Sequence, residues 1–182
     1  MQATFLGPSY TSSDYEETAS RFSAPYEHYA DFGQLTDDVA ELLEEGNVIG
    51  WFQGRMEWGP RALGHRSILG DPRNPEMQKT INQKIKFREG FRPFAPSVLE
   101  EDLETFFTRE TSAPYMLFVT EIKDEKRERL PKEYDEMSIS EQLKVEKSDV
   151  PAVTHVDFSS RLQTVNKEDH PRYWKLLKAF KN

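Results

Sequence analysis

Cysteine is absent from the 182 residues of this chain. Disulfide bonds, thiolate nucleophiles and cysteine-ligated metals are therefore excluded, and a cytoplasmic location is the default expectation. No apolar run approaches membrane-spanning length, and the N-terminus lacks the basic-then-apolar order of a signal peptide. We therefore expect no membrane segment, and the length suits one domain with its own core.

Several familiar catalytic motifs are also missing. Neither the P-loop pattern nor the GxGxxG fingerprint occurs, so a bound nucleotide needs a different cradle. The four histidines are scattered, which leaves no catalytic triad, and we expect His28, His65 and His170 in loops or at the surface. His155 and Asp157 share one strand face by their spacing but have no obvious third ligand, so we expect no metal site.

Basic residues are in the minority, and the formal net charge of -8 argues against general nucleic-acid binding. Between Asp14 and Gly46 there are ten acidic residues and one basic residue. Between Trp51 and Arg92, nine basic residues stand against four acidic ones. An acidic chain with a basic centre favours a focused anion pocket over a broad basic surface.

The densest basic stretch is NQKIKFREGFRPFAPSV, at 82–98. Four cations lie within nine residues of it: Lys84, Lys86, Arg88 and Arg92. They suit a polyanion, because Arg binds phosphate through two parallel hydrogen bonds and Lys supplies a point charge. The alternative is a solvated basic strand, since charge runs usually face water.

Hydrophobic periodicity alternates between helix-like and strand-like stretches. This alternation predicts an α/β (α+β) domain with a twisted mixed sheet and packed helices. Helices are predicted from Asp14 to Arg21, from a cap at Thr36 or Asp37 to a stop at Gly46, and over 77–85, 100–107 and 167–180. Strands are predicted over Val48 to Phe52, Pro93 to Leu99, Tyr115 to Thr120 and Val153 to Val156, and the alternation of Lys84, Lys86 and Arg88 is typical of a strand.

The chain divides into a lead-in with a short helix, at 1–34, and a domain at 35–182. Within the domain, residues 123–149 mix acids and bases and have few apolar anchors. Little burial is then available to offset the entropy lost on ordering. We therefore expect 123–149 to be a mobile insertion.

Three long blocks carry a resemblance to a known family. They are GWFQGRMEWGPRALGHRSIL at 50–69, INQKIKFREGFRPFAPSVL at 81–99 and PAVTHVDFSSRLQTV at 151–165. In this order they closely resemble the C-terminal region of the NodU/CmcH-type O-carbamoyltransferases. The lead-in with LGPS at 6–9 is similar to that family's junction between its two domains, so the resemblance covers nearly the whole chain.

The resemblance implies a YrdC-like domain that forms carbamoyl-adenylate from carbamoyl phosphate and ATP, with release of pyrophosphate. ATP is then a substrate, and Mg²⁺ is expected with it. The implied partner is a separate N-terminal metal-binding domain, which transfers the carbamoyl group to a hydroxyl acceptor. The family continues beyond its last helix into a strand with a Leu-Asn-Thr-Ser-Phe-Asn motif, and this sequence stops before that motif.

The charge pattern and the resemblance together select the site residues. Lys86 and Arg92 are the expected catalytic residues, and we expect them to converge with Arg61 and Arg161 on one anion-binding concavity. Further contacts to substrate or nucleotide are expected from Arg66, Ser67, Lys84, Arg88, His155, Asp157 and Ser160. The alternative for each cation is a surface salt bridge, for instance between Arg61 and Glu57.

Other interpretations stay open at this point. Trp51, Trp58, Phe87 and Phe94 are candidates to stack on adenine, although aromatic residues at such spacing are more often core. The chain is alternatively a nucleotide- or RNA-binding YrdC-like module without chemistry, although the net charge disfavours nucleic acid. It is alternatively a docking domain for the N-terminal partner, which an exposed apolar patch would favour.

Overall fold

A computed structural model describes residues 4–182, in which short strands and helices alternate. The α-helices are α1 (Ser12–Arg21), α2 (Phe32–Glu44), α3 (Met77–Thr80), α4 (Leu103–Phe106), α5 (Ile139–Gln142) and α6 (Pro171–Lys181). The strands are β1 (Ile49–Phe52), β2 (Arg66–Leu69), β3 (Ser97–Leu99), β4 (Val119–Glu121), β5 (Ser159–Arg161) and β6 (Gln163–Val165). The predicted α/β composition is confirmed. No helix within residues 4–182 is both long enough and apolar enough to cross a bilayer.

The strands associate in pairs. β1 and β2 are antiparallel, with Trp51 opposite Ser67, and β4 and β5 are also antiparallel. β3 and β6 are parallel, with Val98 opposite Thr164. Parallel and antiparallel pairing therefore both occur, and the ladders form three two-stranded sheets.

Helix α2 begins at Phe32, earlier than the predicted caps at Thr36 and Asp37. The side chain of Asp31 caps it, because Asp31 Oδ1 accepts a hydrogen bond from the Gly33 N–H at 2.8 Å. Thr36 lies inside the helix, is buried, and donates its hydroxyl to the Gly33 carbonyl. An earlier cap therefore starts the helix more than one turn before the predicted position.

The predicted end of α2 at Gly46 is confirmed. Gly46 has φ +87, and its N–H bonds to the Leu43 carbonyl while the Asn47 N–H bonds to the Leu42 carbonyl. This pair of bonds is a Schellman ending, which needs the left-handed conformation that glycine adopts readily. The chain then enters β1 directly, so the predicted helix-to-strand succession is also confirmed.

The strand predicted over Val153–Val156 is wrong. Pro151–Val153 form a 3₁₀ turn, and a tight turn follows in which the His155 N–H bonds to the Ser159 carbonyl. Proline has a fixed φ and no N–H, so Pro151 favours the first turn of a helix over a strand ladder. Strand pairing therefore starts only at β5.

The remaining strand predictions are confirmed in shortened form. β1, β3 and β4 overlap the predicted Val48–Phe52, Pro93–Leu99 and Tyr115–Thr120. Pro93 and Pro96 cannot donate to a ladder, which explains why pairing of the second segment begins at Ser97.

Three apolar clusters form the core. The first joins β3, α4 and the β4–β5 pair through Val98, Leu103, Phe107, Ile122 and Leu162. The second joins α2, α6 and β1 through Val39, Leu43, Trp51, Tyr173 and Leu176, with Leu177 and Phe180 packed against it. The third contains Met77, Ile81 and Ala152. The spacing of Tyr173, Leu176, Leu177 and Phe180 in the sequence predicts an apolar face that points inward, and this face of the last helix is confirmed.

Residues 123–149 contain 3₁₀ turns and α5. Tyr134 is buried and donates its hydroxyl to the Val156 carbonyl at 3.0 Å. Lys147 is buried as well, and its Nζ donates to the carbonyls of Gln142 and Val145. These contacts tie the segment to the domain, and its mobility stays a prediction.

Candidate functional site

The basic stretch is organised around Asn82, which is fully buried. Its Nδ2 donates to the Arg92 carbonyl at 2.8 Å and to the Gly90 carbonyl at 3.2 Å. Its Oδ1 accepts from Arg88 Nε at 2.6 Å. One amide therefore holds Arg88, Gly90 and Arg92, in the second half of residues 84–92, which we call the basic loop.

The alternation of Lys84, Lys86 and Arg88 predicted a strand, and this prediction is wrong. Residues Ile81–Ile85 form a π-helical turn that continues α3, so the predicted helix over 77–85 is confirmed. The Lys86 N–H bonds to the Ile81 carbonyl and the Arg88 N–H to the Asn82 carbonyl. Helix carbonyls accept these two hydrogen bonds, so the N–H groups of Lys86 and Arg88 are not available for pairing with a neighbouring strand.

The cations of the basic loop differ in how they are held. Arg88 is held by Asn82, and its guanidinium lies 4.9 Å from the centre of the Phe94 ring. Arg92 Nε donates to Glu89 Oε2 at 2.8 Å, which lowers the pKa of the Glu89 carboxyl. Lys84 and Lys86 are exposed, and neither forms an ion pair within residues 4–182.

Glu57 organises the segment before β2, at 54–65, which we call the glycine-rich loop. Its carboxylate is buried, and Oε1 accepts from the N–H groups of Leu63 and His65. Oε2 lies 3.3 Å from Arg66 Nε. Glu57 therefore pairs with Arg66, and the salt bridge considered for Arg61 is not formed.

Arg66 and Ser67 both take part in building the glycine-rich loop. Arg66 donates to the Gly59 carbonyl in addition to its pairing with Glu57. Ser67 Oγ accepts from the Gly64 N–H at 2.9 Å. Arg61 is half-buried and forms no ion pair among the residues described, which leaves its charge available.

The glycine-rich loop is joined to β3 and β6 through buried polar groups. Gln163 Nε2 donates to the Leu63 carbonyl at 2.8 Å, and Ser97 Oγ donates to Gln163 Oε1 at 3.3 Å. Tyr173 donates to Ser97 Oγ at 2.9 Å, and burial raises the pKa of Tyr173 to about 12. The first and third sequence blocks are therefore adjacent.

The turn before β5 holds the candidate residues of the third block. His155 Nδ1 lies 2.9 Å from Ser159 Oγ, and Asp157 Oδ1 accepts from the Ser159 N–H at 3.0 Å. Ser160 is fully buried and donates to the Val153 carbonyl at 2.8 Å, so its hydroxyl is used within the fold. Arg161 lies on β5, exposed and without an ion pair among residues 4–182.

Burial lowers the pKa of His155, and the nearby charge of Arg161 acts in the same direction while Asp157 opposes it. Hydrogen bonding from Ser159 lowers the pKa of Asp157. Nε2 of His155 is buried without a hydrogen-bond partner among the residues described. The turn therefore presents a neutral imidazole beside a carboxylate and a guanidinium.

A cleft of about 140 Å³ separates the end of the basic loop from this turn. Phe91 and Pro93 line one side, and Thr154, His155 and Val156 line another. The second and third blocks thus also lie beside one another. None of Arg61, Lys86, Arg92 and Arg161 lines this cleft, and their convergence on one concavity stays a prediction.

His65 and His170 form an aromatic cluster with Phe5, whose ring stacks on His65 at 3.6 Å between centroids. Burial lowers the pKa of both histidines, and Glu57 opposes the shift in each case. His170 is buried in the loop that precedes α6, so of the two expected positions, loop or surface, it takes the loop. The lead-in is thereby anchored next to the glycine-rich loop.

The sequence model of one family, described as Carbamoyltransferase C-terminus, matches residues 40–182. The chain belongs to this carbamoyltransferase C-terminus family. The uncharacterized protein sll1178 of Synechocystis sp. is 48% identical over 99% of the chain and 29% of its own length. Nodulation protein NolNO of Sinorhizobium fredii is 45% identical over 80% of the chain and 19% of its own length.

A third relative carries an activity in its name. The 3'-hydroxymethylcephem-O-carbamoyltransferase of Amycolatopsis lactamdurans is 33% identical over 98% of the chain and 28% of its own length. The chain therefore spans less than a third of each of these relatives. The resemblance seen in the three sequence blocks is confirmed.

Three structurally important residues were not predicted from the sequence pattern of this carbamoyltransferase C-terminus domain. Asn82, Glu57 and Gln163 are each buried and polar, and each joins separate backbone segments. The only sequence signal for them is a polar residue within an apolar or glycine-rich stretch. No group of three or more His, Asp or Glu within residues 4–182 is placed to hold a metal ion.

Proposed function

We propose that this chain binds carbamoyl phosphate and ATP and forms carbamoyl-adenylate. Water first hydrolyses carbamoyl phosphate, which breaks the bond between the carbamoyl group and the phosphate and gives carbamate and inorganic phosphate. An oxygen of carbamate then attacks the α-phosphorus of ATP, the bond from that phosphorus to the bridging oxygen breaks, and pyrophosphate leaves. The carbamoyl group goes on to a hydroxyl acceptor through a separate N-terminal metal-binding domain, since the chain spans less than a third of its relatives.

The observation that carries this proposal is the ordered basic loop. Asn82 fixes the loop backbone from within, while Lys84 and Lys86 remain exposed and free of ion pairs in the part of the chain that the structure describes. A loop with a held backbone and unpaired cations is suited to anions, because the backbone needs little reorganisation when the ligand binds.

Charge neutralisation is the main demand of the reaction. Two phosphate-bearing substrates must approach one another, and negative charge grows on the leaving pyrophosphate. Lys86 and Arg92 are the proposed catalytic residues for this role, with Arg61 and Arg161 supporting them. Mg²⁺ enters with ATP and is held mainly by its phosphates, because Mg²⁺ is usually bound by few protein carboxylates.

Release of pyrophosphate tests the proposed reaction. The parent chain is incubated with ATP, Mg²⁺ and carbamoyl phosphate, and pyrophosphate is measured with and without carbamoyl phosphate. We expect release that depends on carbamoyl phosphate and is lost in Arg92→Glu, whose side chain is half exposed and so is not needed for folding. An unchanged circular dichroism spectrum is the control. Equal release from the parent and from Arg92→Glu contradicts the assignment.

A docking role for the chain is favoured by one specific observation. Tyr10 and Tyr15 contact Phe52 at 5.9 and 6.3 Å between ring centroids, and all three side chains are exposed. Helix α1 buries none of its residues. We propose that this aromatic face packs on the N-terminal domain of the full-length protein.

Co-expression with the N-terminal part of a full-length relative tests the docking role. Tyr15→Ser combined with Phe52→Ser should abolish co-purification, because two of the three apolar rings are removed. Leu117→Ser, at another exposed apolar position, is the matched control and should retain it. Retention of the partner by the double variant contradicts this role.

A further inference from the structure

The four aromatic residues considered for stacking on a nucleotide base differ widely in exposure. Trp51 is 7% exposed and belongs to the core, and Phe94 is covered by the guanidinium of Arg88. Trp58 and Phe87 are 74% and 85% exposed. A ring can stack on a base only if one of its faces is open, so exposure narrows the set to these two.

Phe87 has an unusual backbone conformation as well. Its φ is +48, in the left-handed region that bulky side chains seldom occupy. Hydrogen bonds hold the residues before and after Phe87 in place. The Lys86 N–H bonds to the Ile81 carbonyl, and the Arg88 N–H bonds to the Asn82 carbonyl. Such strain is found where a side chain must be presented in one direction for function.

The surroundings of Phe87 suit a ligand that has both an aromatic ring and negative charges. Lys86 and Arg88 flank it in the chain, and the side chain of Lys86 is free of ion pairs among residues 4–182. The Phe87 ring stacks on no other aromatic ring and no cation in that part of the chain. Trp58 lies beside buried Glu57, and the nearby Arg66 is already engaged by Glu57. Phe87 is therefore the better placed of the two.

We propose that Phe87 stacks on the adenine ring of ATP, so that the basic loop contacts the base and the phosphates together. This inference rests on the proposed function and adds a residue that recognises the base. Stacking on an aromatic ring suits a purine, because its flat face is poorly hydrated. The backbone of Phe87 is held by the hydrogen bonds on either side of it, which reduces the ordering cost when the nucleotide binds.

Two ligands separate contacts to the base from contacts to the phosphates. Isothermal titration is carried out with ATP and with inorganic tripolyphosphate, which carries the phosphates alone. The variants are Phe87→Gly, Phe87→Trp and Trp58→Ala. Glycine adopts a positive φ without strain, so Phe87→Gly removes the ring and retains the loop conformation.

We expect Phe87→Gly to weaken ATP binding by about fivefold or more and to leave tripolyphosphate binding unchanged. Phe87→Trp should retain ATP affinity, and Trp58→Ala should bind both ligands as the parent does. The assignment is overturned if Phe87→Gly binds ATP normally, if it loses both ligands equally, or if Trp58→Ala alone loses ATP. Failure of the parent chain to bind either ligand contradicts the proposed function itself, which is a distinct result.

Discussion

Asn82 shows how a single buried side chain can determine the shape of a charged loop. Its amide satisfies two loop carbonyls and orients Arg88, so the loop requires no core of its own. Replacement by alanine leaves buried polar groups without partners. We expect Asn82→Ala to lower the free energy of unfolding by about 2–3 kcal/mol.

Urea unfolding of Asn82→Ala and of Gln83→Ala measures this effect. Gln83 is the exposed neighbour, and its truncation should change the free energy of unfolding by less than about 0.5 kcal/mol. Equal stability of the two variants would show that Asn82 does not hold the loop.

Three histidines, of which His170 is buried and His65 and His155 are half-buried, give the chain a definite pH dependence. Burial lowers the pKa of His65, His155 and His170 below the ordinary value of 6.5. Below pH 6.5 the unfolded chain therefore binds protons that the folded chain does not. The stability they contribute is fully present above that value and is lost as pH falls through 6.5 toward the folded-state pKa values.

Urea unfolding at about pH 7.5 and at about pH 5.5 tests this dependence. The free energy of unfolding should be smaller at the lower pH, and His170→Gln should reduce the difference because one titrating group is removed. His28→Gln, at an exposed position, should leave the difference unchanged. A parent chain that is more stable at the lower pH would contradict the expectation.

At the residue scale, the sequence predicts which segments carry charge but not which charges are free. Arg66 and Arg88 match the family blocks as well as Lys86 does, yet they are held by Glu57 and Asn82. Whether a cation is free or held depends on whether the fold places a buried hydrogen-bond acceptor, such as Glu57 or Asn82, next to it. Spacing along the chain does not contain that information.

Gly64 is the clearest case in which an element depends on one small residue. It has φ +99, and a Cβ at this position would collide with the ring of Tyr173. Gly64→Ala therefore combines backbone strain with overpacking. We expect it to lower the free energy of unfolding by about 2–4 kcal/mol.

Gly50→Ala is the matched control, because no atom lies within 4 Å of the position of its Cβ and its φ is not positive. We expect a change below about 0.5 kcal/mol there. Thermal or urea unfolding of the two variants gives the comparison. If the alanine at 64 is tolerated as well as the one at 50, the glycine-rich loop does not pack closely on the Tyr173 ring.

At the element scale, helices were easier to predict than strands. The Schellman ending at Gly46 and the apolar face of α6 are local signals, and both were confirmed. The strand expected over Val153–Val156 failed because pairing depends on a distant partner, and β4 meets the chain only from Ser159 onward. The alternation of apolar and polar residues along the chain does not determine where strand pairing begins.

Within the whole molecule, we expect local unfolding to occur first in residues 123–149. The segment is rich in charge and buries few side chains, Tyr134 and Lys147 among them. Limited trypsin digestion followed by mass spectrometry should locate the first cut there, because local opening costs least where burial is small. A first cut between Trp51 and Leu99 would contradict the expectation.

At the scale of the whole molecule, the sequence blocks predicted the family and the α/β composition, and both are confirmed. The spatial relation of the blocks needed the structure. Gln163 joins the first block to the third, and the cleft at His155 lies between the second and the third. Contacts of this kind link residues far apart in sequence, so no local pattern reveals them.

The most direct test of the central claim is the affinity of the chain for ATP with and without the Lys86 ammonium group. Isothermal titration compares the parent, Lys86→Ala and Lys132→Ala, an exposed lysine outside the three blocks. We predict that Lys86→Ala weakens ATP binding by about 1.5–3 kcal/mol, the usual contribution of a charged hydrogen bond, and that Lys132→Ala has no effect. Equal ATP affinity in all three proteins would contradict the assignment of the basic loop as the phosphate-binding element.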